Sequence, residues 1–404
     1  MKYTLIAFAI AVPGVAAAGE ASTFAEMVSE GSANLDVRYR FEYVDQDGFD
    51  EEAEAHTVRS RLSFTSATFH GLNLMLEFDD VSHIGDDDFN STANGNGTFP
   101  VVADVEGTEA NQAWIKYSNA GFAGTYGRQR VLHGSQRFVG GVGWRQNEQT
   151  YDGFRATWEG GPGIAVDYAY IYTVNRIFGP DDGPVQPAEL DGDNHFLRAS
   201  FKPAAEHSIT AFAYLLDIDE EKDYPAGRSV GNSSDTFGLE YTGKFGPVTL
   251  DAMYATQEDA GDSPLSYDAD FFMVQTKIKA GPVVALVGYE VLGADNGVGF
   301  KTPYATLHKF QGWADKFLVT PGDGIEDLYA GLTGSAGPVK LGAFYHDFQA
   351  EDSGADFGTE LDLVATWPIN KQWLVQLKYA NFDSDDEARF SDTEKAWFIV
   401  NLKL

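Results

Sequence analysis

The stretch Ala396-Trp397-Phe398-Ile399-Val400-Asn401-Leu402-Lys403-Leu404 alternates without a break. Phe398, Val400, Leu402 and Leu404 share one face of an extended chain, and Trp397, Ile399, Asn401 and Lys403 share the other. A period of two is the strand period, and here one face is wholly apolar. The same pattern stands near the other end of the chain. Leu35, Val37, Tyr39, Phe41 and Tyr43 alternate with Asp36, Arg38, Arg40 and Glu42. No soluble core is evident for so many strands whose apolar faces are rich in Tyr, Phe and Trp. In lipid every backbone N–H and C=O must be satisfied internally, so a sheet survives there only when closed on itself. The fold expected is all-β, a transmembrane antiparallel β-barrel with lipid outside and water inside.

Strand after strand repeats the pattern. Val58, Leu62 and Phe64 oppose Arg59, Arg61 and Ser63, and Leu72, Leu74, Leu76 and Phe78 oppose Asn73, Met75, Glu77 and Asp79. Further strands read clearly over 164–174, 237–245, 248–254, 339–345, 361–367 and 373–379, less clearly near 109–131 and 283–290. The total is about eighteen. Connections alternate in length. Short turns rich in Gly and Pro fall near 69–71, 159–163, 244–247, 280–282, 334–338 and 368–371. Long loops fall near 80–108, 131–149, 176–193, 217–235 and 291–324. Short periplasmic turns and long extracellular loops are the outer-membrane arrangement. Aromatic residues close the strands at both ends. Tyr117, Trp158, Phe201, Phe245 and Trp367 lie at one end, and Tyr43, Tyr172, Tyr254, Tyr345 and Tyr379 at the other, as interfacial girdles require.

Composition narrows the partners. Sixty-one acids against 28 bases give a net charge of −33, which argues against nucleic acid. With no cysteine, neither disulfides nor thiolate metal sites are available. Met1-Lys2, an apolar run to Val15 and Ala16-Ala17-Ala18 read as a Sec-type signal peptide over 1–18, cut near Ala18. Residues 19–31 are expected as a short periplasmic segment, with a brief helix over Thr23 to Gly31, and 32–404 as the barrel. The surrounding partners expected are outer-membrane lipid and lipopolysaccharide.

A barrel this wide cannot be filled by its own wall side chains, so loops narrow it or it conducts. Arg38, Arg40, Arg59 and Arg61 share the inner face of one hairpin, where like charges repel. Two readings stand side by side: a structural ladder with Asp36, Glu42, Glu77 and Asp79, or a positive wall for a passing anion. Arg128, Arg130, Arg137 and Arg145 fall among glycines between 127 and 150 and suggest a lumenal loop, an electropositive constriction or one held by Arg–backbone bonds. The aromatic run 300–317, with His308, Lys309, Trp313, Asp315 and Lys316, reads as a mouth loop folded against the rim or into the mouth. It could stack a sugar or simply pack. No G-x-S-x-G, H-E-x-x-H or P-loop pattern occurs, so no catalytic residue, metal ligand or cofactor is expected.

Gly127-Arg128-Gln129-Arg130, Phe138 to Thr150, Pro100-Val101-Val102-Ala103-Asp104 and Thr302 to Phe317 resemble the alginate export family of outer-membrane porins. So does the Arg-Tyr-Arg core of the first strand with the following Asp45-Gln46-Asp47-Gly48. The resemblance implies an eighteen-stranded monomer, and Arg128, Arg130, Arg137 and Arg145 on the path of a polyanionic uronate polymer. The acidic loops of this chain would repel a polyanion at the mouth. The expected function is passive diffusion of small hydrophilic solutes, anions among them. Export of an anionic polysaccharide, and a plugged barrel with an adhesive or structural role, are the alternatives.

Overall fold

The computed structural model describes residues 20–221 and 227–404; the expected signal peptide lies outside the described residues. In chain order, α1 (Phe24–Ser29) leads into β1 (Ser32–Gln46), β2 (Ala53–Thr65), β3 (Leu72–His83), β4 (Gly107–Asn119), β5 (Phe122–Gln129) and β6 (Thr150–Gly160). Then come β7 (Ile164–Asn175), β8 (Glu189–Ala204), β9 (His207–Leu216), β10 (Ser234–Phe245), β11 (Val248–Asp259), β12 (Asp268–Ala280) and β13 (Val283–Leu292). A two-rung hairpin, β14 (Ala294–Asp295) with β15 (Val298–Gly299), precedes β16 (Ile325–Ala336), β17 (Val339–Gln349), β18 (Asp356–Pro368), β19 (Trp373–Ser384) and β20 (Thr393–Lys403).

Apart from that hairpin, the strands form one eighteen-stranded sheet in which each pairs antiparallel with its neighbours. The first strand closes on the last, from Asp36↔Lys403 to Gln46↔Thr393. Closure removes the sheet edges, which is what allows strands to stand in lipid. Among the described residues no helix is long and apolar enough to cross a membrane.

One rim carries the tight turns. His70-Gly71 and Ala120-Gly121 each hold two successive positive φ values, the geometry that matches hairpin twist. A Cβ on Gly71 would stand 2.5 Å from the Ser118 carbonyl oxygen, and one on Gly121 would stand 2.4 Å from that of Glu159. The other rim carries the long loops 84–106, 130–149, 176–188 and 293–324, and the described parts of another, 217–221 and 227–233. Outward positions present Leu62, Phe78, Ile115, Leu239, Val287 and Leu332 to the surroundings. Tyr117, Trp158, Phe201, Phe245 and Trp367 are exposed toward the turn rim, and Tyr172, Tyr254 and Tyr345 toward the loop rim. Thr23 caps α1 by accepting from the Glu26 N–H (3.1 Å). Met27 buries against Ala21 and Ala67 beside Phe69, Leu72 and Leu74.

Candidate functional site

Two of the long loops, 130–149 and 293–324, fold into the lumen and join there. Tyr304 O accepts the Gly140 N–H (2.8 Å), Thr306 Oγ1 accepts that of Val142 (3.1 Å), and Gln136 O accepts that of Thr306 (3.0 Å). Their apolar side chains meet those of the wall. Phe138 packs on Phe212 and Phe271, and Phe317 packs on Phe348, Phe357 and Phe382. The two loops therefore form a plug with an apolar core continuous with the inner wall. A cavity left between plug and wall near Tyr214, Gln257 and Lys301 measures about 10 Å³, room for one water.

A belt of ion pairs fastens the plug at mid-height. Arg38 donates to Gln146 Oε1 (2.8 Å), to the Gly143 carbonyl (3.0 Å) and to that of Arg145. Arg40 pairs with Glu42 (2.5 Å), donates to the Trp144 carbonyl and lies over the Trp144 ring. Arg59 pairs with Asp36 (2.7 Å). Arg61 pairs with Asp79 and with Glu148 (2.9 Å), and Arg130 with Glu77 and Glu148. Burial alone would raise the Glu148 carboxyl; Arg130 and Arg61 overcome it and hold the group well below the usual carboxylate range. Arg137 pairs with Glu290 (2.9 Å) and donates to Gln311 (3.0 Å). Arg145 joins Glu42 (3.0 Å) to Asp315 (3.4 Å). Burial works against its charge, but Glu42, Asp104 and Asp315 together raise its affinity for the proton.

The hairpin arginines thus meet the four carboxylates that the sequence places beside them. A bare positive wall is not what the structure holds at this height. Asp36, Glu42, Glu77 and Asp79 neutralise Arg40, Arg59 and Arg61, while Arg38 is spent on loop carbonyls. Arg128 requires a correction. It shares the face of β5 with Phe122 and Tyr126, both exposed outward, and bonds Asp152 at 2.9 Å. It therefore stands on the outer wall near the loop rim and lines no lumen. The strand runs in unbroken register through Gly127, so parity alone turns Arg128 outward and Gln129 inward.

The run 300–317 reaches deeper than a mouth loop. His308 stacks on Trp144 with centroids 4.3 Å apart. It donates or accepts at Nδ1 with Asp315 Oδ1 (2.7 Å), and its Nε2 lies 2.7 Å from Lys378 Nζ in the middle of β19. Lys378 is always a donor when charged, so Nε2 accepts and the Nδ1 proton faces Asp315. The Lys378 ammonium lies 3.8 Å from the ring centroids of Trp144 and Trp313 and 5.0 Å from that of Trp397. Burial, with Lys378 alongside, pushes the His308 imidazole down to about 3 despite Asp315. Asp315 also accepts from Lys395 (3.0 Å). Lys316 donates to Thr393 Oγ1 (2.8 Å), and burial lowers it to about 8. Lys309 alone of this set is exposed, donating to the Ser135 carbonyl (2.8 Å). Lys378, Glu290 and Lys395 are site residues that pattern reading passed over. Their signal was polar residues on inward positions of otherwise apolar strands.

Nearer the turn rim the lumen is wetter. Arg155–Asp167, Arg198–Glu240 (2.6 Å) and Lys277–Asp251 (2.9 Å) pair across β6 to β12, each side chain between 12% and 31% exposed. Among the described residues no group of three or more His, Asp or Glu is arranged to hold a metal ion.

The sequence matches the family described as alginate export over residues 30–293, well over half of the chain. The chain belongs to the alginate export family. Its fold is similar to solved structures from Pseudomonas aeruginosa. OccK3 (OpdO) superposes with a TM-score of 0.70 at 12% identity, covering 94% of this chain and 97% of that one. OccK11 (OpdR) gives 0.68 at 14% identity, with 94% and 97% covered. OccD3 (OpdP) gives 0.68 at 13%, with 94% and 92% covered. At these identities the likeness is one of fold. No curated protein matches the chain in sequence. The family member described here is a porin-like eighteen-stranded transmembrane barrel with a stitched lumenal plug.

Proposed function

We propose that this protein is a monomeric passive channel of the bacterial outer membrane for small hydrophilic solutes, with anions preferred, and that it catalyses no reaction. The family and the wide closed barrel support a channel. One observation supports the anion preference. Lys309, on the plug, is exposed and makes no ion pair among the described residues, and Lys277 on the wall lies close enough to feel its charge. Arg155, Arg198 and Lys277 of the wet half are each matched by a carboxylate. An anion passing this point meets two ammonium groups, one of them paired with Asp251.

Export of a polysaccharide would need the plug displaced as one body, because both loops are fastened to the wall around much of the belt. A small solute needs only a local opening beside Lys309. Bilayer conductance in a salt gradient tests the reading. Open steps with anion preference, reversed toward cations in Lys309→Glu, are the expected result. Steps whose preference is untouched by the substitution would remove Lys309 from the path. The absence of open steps would favour a closed barrel with an adhesive or structural role.

A further inference from the structure

Segment 308–316 of the plug is fastened to three consecutive strands by groups that can gain or lose a proton. Glu360 on β18 accepts the backbone N–H of Trp313 and, at 2.7 Å, that of Ala314. Lys378 on β19 donates to His308 (2.7 Å), and Lys395 on β20 donates to Asp315 (3.0 Å). From the other loop Arg145 reaches Asp315 and Arg137 holds Gln311, which in turn donates to Glu290 on β13. Arg40 and Glu42 on β1 stand behind Trp144 and contribute to the field at Lys378.

One member of this surround is incompletely paired. Asp362 lies two residues after Glu360 on the same inward face of β18, and both are buried. Both carboxylate oxygens of Asp362, and Oε2 of Glu360, are buried without a hydrogen-bond partner. The neighbouring cations are committed elsewhere. His346 on β17 bonds Asp327 of β16 (2.9 Å) and approaches Asp362 only to 3.9 Å. Lys378 is held by His308 and two Trp rings. Two carboxylates side by side and out of water share one proton, because both cannot ionise together. The unpartnered oxygens are where that proton sits. The charged member is Glu360, since its other oxygen accepts two amides, and an ionised acceptor holds them about twice as strongly as a neutral one.

We propose that the Glu360–Asp362 pair is the proton switch of a gate: with one proton it grips Trp313 and Ala314, and uptake of a second releases segment 308–316 and widens the path. This regulation rests on the channel reading above. Neutralising Glu360 weakens its hold on both amides and removes the remaining charge facing Lys378 from β18. His308 is not the switch, because it stays neutral until about pH 3.

The test is single-channel conductance of the refolded full chain from about pH 8 to about pH 4, a span that covers a shared-proton pair. Wild type is expected to open several-fold on acidification. Glu360→Gln is expected to be open already at the alkaline end and flat across the range. Asp362→Asn keeps a neutral neighbour beside Glu360 and is expected to retain an acid opening. His308→Gln is expected to keep the wild-type profile. Open steps with no pH dependence in wild type would overturn the gate and leave the channel standing. So would a wild-type profile retained in Glu360→Gln, or an acid opening lost in Asp362→Asn. An absence of open steps at every pH and voltage would overturn the channel and the gate together.

Discussion

Replacing Arg145 by Ala separates a charge that lines a path from a charge that fastens a plug. Arg145 bonds Glu42 at 3.0 Å and Asp315 at 3.4 Å, with all three side chains at most 8% exposed. Removing one partner from a buried pair costs roughly 3–5 kcal/mol. Here each orphaned carboxylate keeps another cation: Glu42 keeps Arg40 at 2.5 Å, and Asp315 keeps Lys395 at 3.0 Å. The lower end of the range, about 3 kcal/mol, is therefore expected. The inter-strand ladder does not include this side chain, so the loss falls on plug docking and not on barrel closure. At about 1.4 kcal/mol per decade the undocked population rises about 100-fold. Single-channel recording should show far more frequent large openings, and hydrogen exchange should quicken over 141–149 and 306–316. The heat-modifiable gel shift of the intact barrel should persist. Arg145→Lys, which keeps the charge and loses the planar fork, should fall between. An unchanged open probability with ion preference moved toward cations would refute the argument and put Arg145 on the solute path.

Other consequences follow from the same geometry. Arg128→Ala should leave conductance and ion preference at wild-type values and cost under about 1 kcal/mol, because the pair with Asp152 is partly exposed on the outer wall; a changed reversal potential would return it to the lumen. Leu239→Arg places a charge on the outward face of β10, where Leu239 is exposed, and should cost roughly 2–4 kcal/mol in urea titrations of the bilayer-folded barrel. Unaltered stability would mean that this face meets water. Neutral His308 makes acid destabilising. Its folded value of about 3 lies below the ordinary 6.5, so the unfolded chain takes the proton first. Its contribution is complete above about pH 6.5 and is lost as pH falls toward about 3, reaching about 2 kcal/mol by about pH 5. Urea midpoints at neutral and mildly acidic pH should fall further in wild type than in His308→Gln, and equal shifts would refute the burial argument.

The barrel was open to reading because its signal is local. Alternation in 35–43 and 396–404 names two faces without reference to any other strand, and turn residues such as His70-Gly71 mark where the direction reverses. The side of the sheet facing the interior followed wherever alternation ran unbroken, as for Arg38, Arg40, Arg59 and Arg61. It was misread at Arg128, where position along a Gly-rich stretch gave no parity and Tyr126 was the only local clue to the outward face. The carboxylate partners of the first hairpin were also legible, since Asp36 and Glu42 sit on its own inward positions.

Length, charge, girdles and strand periodicity are properties of short windows, and they determine a closed transmembrane barrel from sequence alone. The lumen is different in kind. Arg145 meets Asp315 across 170 residues of chain, and His308 meets Lys378 across 70. No window spans such contacts. They exist because barrel closure brings the inner faces of distant strands around one space, and two loops enter it. Once water is excluded there, each charge must find a partner or give up its proton. Tertiary structure alone therefore decided that lumenal arginines fasten a plug, and that Glu360 and Asp362 are left with a proton to share.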